Sequence, residues 1–352
     1  MVAIPDDFLR SSVFLCVEEN VYGVTERVPK ATAVLIALSL SNTARVTYAV
    51  TARHAIYEAR PYGKLFIRMN TKSGGFVEVE TKVDDWQTHG AADVAAILVL
   101  RSALPAGVVS EDLDITAIQI ESFVGSPPEY SWEGSPLPAI GPVKIYPTVG
   151  EELYFIGLFS EQYGIERNLP IARFGHISRM PSPIRLEDPD GTQYEAVAYL
   201  AEFHSWGGHS GSPAYFLHPL TLDLTIVDDN NKPTGREAFQ SFVSGFIGII
   251  TGHYDIEKKA TGGGALGTIQ TALNSGIAVV TPAAAVRQLL MAPDVVAQRE
   301  RLHREHEARR RPVPTMDFLA SEPNEEFTRE DFDRSLRRVS RPIEPSEPDA
   351  SS

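Results

Sequence analysis

Short strands separated by turn residues dominate the first part of the chain, and this pattern limits the fold more than any other feature. Runs of β-branched and aromatic residues occupy positions 31–38, 44–50, 64–68 and 75–80, with Gly, Asn and Pro between several of them. Helical periodicity stays weak until the end of the chain. Regular short strands with turn signals favour a barrel or a sandwich over alternating βαβ units. The sequence therefore predicts an all-β fold.

The length of the chain and its changes in composition indicate how it divides. With 352 residues, 43% of them hydrophobic, the chain can bury a large core in one big or two modest domains. Segment 122–143 is rich in Pro and Gly and is expected to connect two halves. Residues 312–352 are rich in Pro, Glu, Asp, Arg and Ser, which predicts a disordered tail. The predicted domains are 1–143, 144–291 and 292–352.

Charge and hydropathy narrow the range of partners. The net charge of −14 argues against a general nucleic-acid partner or an anionic membrane surface. No apolar run approaches the ~18–20 residues that a membrane span requires. The first residues carry Asp6 and Asp7 and no basic cluster, so no secretory signal is expected. Because Cys16 is the single cysteine, the chain cannot form an internal disulfide, and a cytoplasmic location is expected.

The stretch Trp206–Pro213, with the sequence WGGHSGSP, is the first candidate for chemistry. Glycine tolerates φ values that other residues avoid, so this segment can bend tightly and expose the Ser210 hydroxyl. The same bend can turn the N–H groups of Gly208 and Ser210 toward one point. A hydroxyl beside two convergent donors is what acyl transfer requires. The alternative for this stretch alone is a surface loop.

Two earlier residues could activate that hydroxyl, because a serine is a weak nucleophile until an oriented base takes its proton. His54 follows an apolar strand at 46–50, and Asp93 heads the apolar run at 94–100. A carboxylate at the mouth of a buried strand is costly without a partner, which indicates that Asp93 has one. Taken singly, His54 could be structural and Asp93 a cap. The order His54, Asp93, Ser210 along the chain is more informative than any one of the three residues alone.

Several short blocks, in this order, carry a family resemblance. They are Thr51 to Ala55 (TARHA), Asp93 to Ala95 (DVA), Gly208 to Pro213 (GHSGSP), 246–252 and 276–290. They are similar to blocks of the chymotrypsin-fold (trypsin-like) serine peptidases, especially the disulfide-free bacterial branch. The resemblance covers roughly residues 10–290. It implies two six-stranded antiparallel Greek-key barrels followed by a C-terminal helix.

The resemblance also implies roles for individual residues. Ser210 would be the nucleophile, His54 the general base and Asp93 the residue that orients the imidazole, while the N–H groups of Gly208 and Ser210 would bind the oxyanion. Thr251 would support Asp93 through a hydrogen bond. The substrate pocket would include His204, Gly252 and His253, which favours an acidic substrate side chain over Lys or Arg.

The sequence thus predicts a serine endopeptidase that acts on proteins or peptides without a cofactor or a metal. The acidic turn at 228–231 and the pair His303 and His306 lack complete ligand sets. Two residues depart from the family: Arg53 replaces a small residue, and His209 stands where digestive members have an aspartate. One alternative is therefore a binding module that keeps the fold without turnover. Another is an adaptor that acts through its tail, whose apolar islands within 312–352 are hypothesised to bind a protein partner.

Overall fold

The computed structural model describes residues 4–40, 45–125, 131–134, 143–203, 208–227, 233–260 and 269–310. His204, the acidic turn at 228–231 and the tail at 312–352 lie outside these ranges, so the expectations for them stay predictions. Residues up to Arg299 form one compact unit, and residues from Glu300 onward belong to a second. Of the second unit, the structure describes the helical end at 300–310. Ion pairs at helical spacing join Arg301 to Glu305 and Arg304 to Glu300.

The first sheet has eight strands and is open at its ends. Its strands follow the order β5-β4-β1-β2-β3-β7-β6, and β8 pairs in parallel with β2. They are β1 (Ser12–Val21), β2 (Val24–Ser39), β3 (Arg45–Thr51), β4 (Lys64–Asn70), β5 (Phe76–Lys82), β6 (Gln87–Thr88), β7 (Ala95–Leu98) and β8 (Ile118–Gln119). A small two-stranded sheet follows, made of β9 (Trp132–Gly134) and β10 (Val143–Ile145).

The second sheet closes into a six-stranded antiparallel barrel. Its circular order is β11-β12-β13-β16-β15-β14. The strands are β11 (Glu152–Gly157), β12 (Ile171–Glu187), β13 (Gln193–Glu202), β14 (Pro213–Val227), β15 (Pro233–Ala260) and β16 (Ile269–Pro282). Strands β14 and β15 form a long antiparallel ladder, which is paired as far as Val227 and Pro233.

The described helices are few and mostly short. They are α1 (Asp6–Leu9), α2 (Arg53–Ala59), α3 (Ala283–Leu290) and α4 (Pro293–Arg310). Helix α3 directly follows the last strand, where the resemblance implies a C-terminal helix. None of the helices in the described ranges is long and apolar enough to cross a membrane.

Alternating side chains of β2 enter two different cores, as the period of two along a strand requires. Ala33 and Leu35 face the core enclosed by the first sheet. Val34 and Ile36 face a cluster that also holds Tyr154, Tyr215 and Phe246 from the barrel; we call this cluster the shared core. Because both sheets contribute to it, the shared core fixes the first sheet against the barrel.

The fold class predicted from the sequence is confirmed: the chain is mainly β, with a half-barrel, a closed barrel and C-terminal helices in a chymotrypsin-like arrangement. The first sheet differs from the six-stranded barrel expected. It has eight strands, two of them only two residues long, and β5 and β6 end its main path unpaired with each other within the described ranges. The domain limits at 143 and 291 stay predictions.

Candidate active site

Antiparallel pairing between β3 and β7 brings two of the predicted residues together. Thr51 lies opposite Ala95 in this ladder, so His54 and Asp93, just beyond the paired ends, face each other. The N–H of His54 donates to Asp93 Oδ1 at 2.9 Å, and His54 Nδ1 lies 2.6 Å from Asp93 Oδ2. The carboxylate thus bonds both the backbone and the ring of the histidine. Its side chain is only 4% exposed, which keeps water from competing.

His89 supports the turn that carries Asp93, a role that the sequence did not suggest. Its Nδ1 accepts hydrogen bonds from the N–H groups of Ala91 and Ala92, and its own N–H donates to the carbonyl of Val94. These bonds close the turn on itself. The position of Asp93 is therefore set by local hydrogen bonding as well as by the strand that follows it.

Ser210, which comes from the barrel, contacts the side of the His54 ring that faces away from Asp93. Its Oγ lies 2.7 Å from His54 Nε2. Because a carboxylate can only accept, the neutral imidazole carries its proton on Nδ1 and leaves Nε2 to accept from the serine hydroxyl. His54 and Asp93 come from the first sheet and Ser210 from the segment before β14. The arrangement therefore exists only when the first sheet and the barrel are packed together.

The segment around Ser210 bends as its glycines allow. Gly208 and Gly211 have φ of +94° and +84°, in the region that favours glycine. A Cβ on Gly211 would lie 2.1 Å from the carbonyl oxygen of Thr32, so a larger residue cannot be accommodated there. The N–H of Gly211 donates to Ile250, and that of Ser212 donates to His209. The bend that the glycine pattern indicates is therefore present.

Thr32, a fully buried residue of β2, ties this segment to the first sheet. Its N–H donates to the carbonyl of Ser210 at 3.0 Å, and its hydroxyl donates to the carbonyl of Gly208 at 3.0 Å. The same hydroxyl accepts from the N–H of Leu158 at 2.8 Å. The Thr32 carbonyl accepts from the Thr51 hydroxyl at 2.7 Å. A single threonine thus links the serine segment to the strand that leads into His54.

The N–H groups of Gly208 and Ser210 have no hydrogen-bond acceptor among the described residues, whereas those of Gly211 and Ser212 do. Two donors without an acceptor near the Ser210 hydroxyl are available to an incoming oxygen. This is the chemical requirement for binding an oxyanion.

Electrostatics differ sharply between the two histidines of the site. Burial lowers the pKa of His54, but the hydrogen bond and charge of Asp93, with smaller contributions from Glu58 and Asp188, outweigh burial and raise the pKa above its ordinary value. A raised pKa suits a base that must hold a proton during a reaction. His209 is fully buried, and burial lowers its pKa to about 4, so its ring stays neutral.

Thr251 does not make the bond expected from the resemblance. Within the described ranges its Oγ1 lies 2.9 Å from Thr281 Oγ1, and no hydrogen bond joins it to Asp93. The pairing of β15 with β16 shifts register between Ile250 and Gly252. We attribute the change of partner to this irregularity, which lies at Thr251. The support expected from Thr251 comes instead from the turn around His89.

A pocket of about 360 Å³ opens beside His54 and Asp93. Gly252 and His253, two of the three residues predicted to line the substrate pocket, lie in its wall. Residues 185–189 and Tyr194 of the β12–β13 hairpin also line it. A concave site next to a serine–histidine contact is where a substrate chain would bind. No group of side chains that could hold a metal ion occurs in the ranges that the structure describes.

The half-barrel, the closed barrel and the pocket lined by both form the two-barrel arrangement that the resemblance to the trypsin-like peptidases implies. Two solved structures are similar. The MamO protease domain from Magnetospirillum magneticum, in its apo form, shares 12% identity and a TM-score of 0.39 over 80% of this chain and 96% of that one. The Rv3671c protease from M. tuberculosis, in its active form, shares 13% identity and a TM-score of 0.39 over 81% of each chain. No protein-family model matches the sequence, and no curated protein matches it.

Proposed function

We propose that the protein is a serine endopeptidase with Ser210 as nucleophile, His54 as general base and Asp93 as the residue that orients His54. The proposal depends on one observation: the His54 ring lies within hydrogen-bond distance of both Asp93 Oδ2, at 2.6 Å, and Ser210 Oγ, at 2.7 Å. Nucleophile, base and orienting carboxylate in contact are the arrangement that acyl transfer requires.

The reaction follows from these contacts. Ser210 Oγ attacks the carbonyl carbon of a peptide bond while its proton passes to His54 Nε2. The negative charge that develops on the carbonyl oxygen is stabilised by the N–H groups of Gly208 and Ser210; losing one such donor typically costs roughly 3–4 kcal/mol. His54 then donates the proton to the leaving amine, and an acyl-enzyme remains. Water, deprotonated by His54, hydrolyses the ester and restores Ser210.

A fluorophosphonate tests the proposal directly, because it forms a stable adduct only with an activated serine. Intact-mass analysis should find one adduct on the wild-type protein and none on Ser210→Ala, with peptide turnover lost in that variant. Circular dichroism should show that Ser210→Ala remains folded. A folded wild-type protein that takes up no fluorophosphonate would contradict the proposal and favour a protein that keeps the fold for binding alone.

The remaining expectations from the sequence stay predictions. They are the preference for an acidic substrate side chain, the cytoplasmic location and the protein partner for residues 312–352. The two residues of the predicted substrate pocket that the structure describes, Gly252 and His253, line the same pocket as His54. Their position is consistent with the proposed reaction.

A further inference from the structure

The Arg53 side chain is buried beside the proposed base and joins three separate segments. The residue begins helix α2, directly before His54, and is only 5% exposed. Its Nη2 lies 3.0 Å from both carboxylate oxygens of Asp188, at the tip of the β12–β13 hairpin. Its Nη1 donates to the carbonyl of His89, in the turn before Asp93, at 3.1 Å. Arg53 therefore connects three segments: helix α2, which carries His54; the turn that carries Asp93; and the β12–β13 hairpin of the barrel.

The physical cost of this arrangement indicates that it is more than packing. Removing a guanidinium from water is expensive and is offset only by close, well-directed partners. Asp188 is itself mostly buried, with a side chain 12% exposed, and the Arg53 guanidinium also lies 4.6 Å from the ring centroid of Tyr194 on the same hairpin. If the hairpin tip moved away, Arg53 would lose its charged partner while still buried. The ion pair thus opposes movement of the tip.

Among the described residues, few other contacts hold the hairpin tip around Asp188. Ile184 and Ala198 pack with Val279 in a small apolar cluster, but Glu187, Pro189 and Asp190, closer to the tip, are exposed. Within the turn, Asp188 bonds only locally through its backbone, with Thr192 and Gly191. Leu186 packs against this cluster, but the cluster includes none of the residues from Glu187 to Asp190. The ion pair between Arg53 and Asp188 holds the tip instead.

The same tip lines the pocket beside His54. Leu186, Asp188 and Tyr194 from the hairpin line it together with Gly252 and His253. The shape of the pocket therefore depends on where the tip is held. A small substrate that binds only at Ser210 would not contact the tip. A substrate with side chains beyond the reacting carbonyl would contact it.

We infer that Arg53 and Asp188 form a latch that holds the hairpin tip as one wall of the substrate pocket, and that this latch determines selectivity for extended substrates over small ones. The inference rests on the proposed function, since it assigns the pocket to a peptide bound for cleavage at Ser210. Arg53 and Asp188 act as positioning and specificity residues and touch no reacting atom.

The test compares two probes of the same serine. Labelling rates are measured by intact mass with a small alkyl fluorophosphonate and with a mixture of tripeptidyl diphenylphosphonates. In Asp188→Ala, the ratio of the peptidyl rate to the small-probe rate should fall at least roughly tenfold, equivalent to about 1.4 kcal/mol of lost pocket binding. Using the ratio cancels any effect on His54, which both probes share. Asp188→Glu, which keeps the charge, should recover part of the ratio.

Asp114→Asn is the matched control. It also removes a carboxylate paired with an arginine across the two sheets, because Arg167 Nη2 lies 3.0 Å from Asp114 Oδ2, but neither residue lines the pocket. The ratio should be unchanged in this variant. An equal ratio in Asp188→Ala and wild type would overturn the inference, and so would an equal fall in both variants. If Asp188→Ala fails to fold, Asp188→Asn replaces it with the same expectation.

Hydrogen exchange separates this inference from the proposed function. Backbone amides of residues 185–194 should exchange at least roughly tenfold faster in Asp188→Ala than in wild type, because release of the tip lowers its local opening free energy. This measurement needs no active serine. If wild type takes up no fluorophosphonate yet the exchange difference appears, the catalytic proposal fails while the latch stands. Unchanged exchange rates at 185–194 would show that the Arg53–Asp188 pair does not hold the tip.

Discussion

At the scale of single residues, the site contains two histidines that the chain uses in opposite ways. His54 lies against Asp93, and the pKa of its ring is raised although burial alone would lower it. His209, next to the proposed nucleophile, packs its ring edge-on against Phe155, with centroids 4.9 Å apart. Burial keeps His209 neutral. Because His209 is buried in its uncharged form, the stability of the packing under the site should depend on pH.

His209 should make the fold sensitive to acid. Its pKa falls from about 6.5 in an unfolded chain to about 4 in the fold. Between these values the unfolded state binds more protons, so the free energy of unfolding decreases as pH falls, by about 3 kcal/mol in all. Urea unfolding of wild type and His209→Gln at pH 7, 5.5 and 4.5 should show a shallower pH dependence in the variant.

A matched substitution at an exposed histidine serves as the control for that experiment. His176 lies exposed on β12, so His176→Gln should leave the pH dependence of unfolding as it is in wild type. Equal slopes for wild type and His209→Gln would show that His209 does not control the acid sensitivity.

At the scale of elements, strand β2 positions the serine segment through Thr32. The hydroxyl of this buried threonine bonds to Gly208 and Leu158, and its N–H bonds to Ser210. Whereas the glycines permit the bend, β2 fixes its position. The proposed oxyanion donors are therefore oriented by a strand of the opposite sheet.

Thr32→Val tests this role, since it keeps the shape of the side chain and removes the hydroxyl. Unsatisfied groups at Gly208 and Leu158 should lower the free energy of unfolding by about 1–3 kcal/mol. Loss of about 1.4 kcal/mol of transition-state stabilisation would lower kcat roughly tenfold. We expect KM to change much less, because the pocket beside His54 is not altered. Kinetics with a peptide substrate and urea unfolding measure both effects.

Two further variants make the result specific. Thr32→Ser keeps the hydroxyl and should restore most of kcat. Thr81→Val removes a threonine hydroxyl that bonds to Leu65 and Trp86 elsewhere in the first sheet, and it should lower stability without a selective loss of kcat. A kcat for Thr32→Val that matches Thr81→Val would exclude a positioning role for Thr32.

The sequence revealed the proposed catalytic residues but few of the residues that hold them. His54, Asp93 and Ser210 sit in short contiguous blocks of characteristic composition, so each can be found locally. Thr32 and Asp188 act across long sequence distances, and their residue types are common, so a single sequence carries no sign of their partners. His89 acts locally, but its residue type does not show that its ring accepts the N–H groups of Ala91 and Ala92. Thr251 shows the same limit, because a local irregularity between β15 and β16 redirects its hydroxyl to Thr281.

At the scale of the whole molecule, the shared core determines whether the site exists. His54 and Asp93 stand on the first sheet and Ser210 on the barrel, and contacts such as Phe123 with Phe246, at 4.6 Å between centroids, join the two. Weak packing here would separate Ser210 from His54. Packing within the first sheet alone, or within the barrel alone, does not control the distance between Ser210 and His54 so directly.

Neighbouring residues of β2 allow this to be measured. Ile36 points into the shared core and Leu35 into the core of the first sheet, and both have no exposed surface. Ile36→Ala and Leu35→Ala should each cost about 2–5 kcal/mol of stability. Only Ile36→Ala should also slow fluorophosphonate labelling of Ser210, at a temperature where both variants are folded. Equal labelling rates in the two variants would show that the shared core does not control the alignment of serine and histidine.

The position of β16 in the barrel has a consequence for the timing of synthesis. A ribosome will have made His54, Asp93 and Ser210 well before it reaches residues 269–282, yet these residues form the strand that closes the barrel between β13 and β15. Until they emerge, the strand before Ser210 has no finished barrel to anchor it. A nascent chain that ends before β16 therefore carries His54, Asp93 and Ser210 without the closed barrel to which Ser210 belongs. We therefore expect the proposed activity to appear only after the barrel has been synthesised completely.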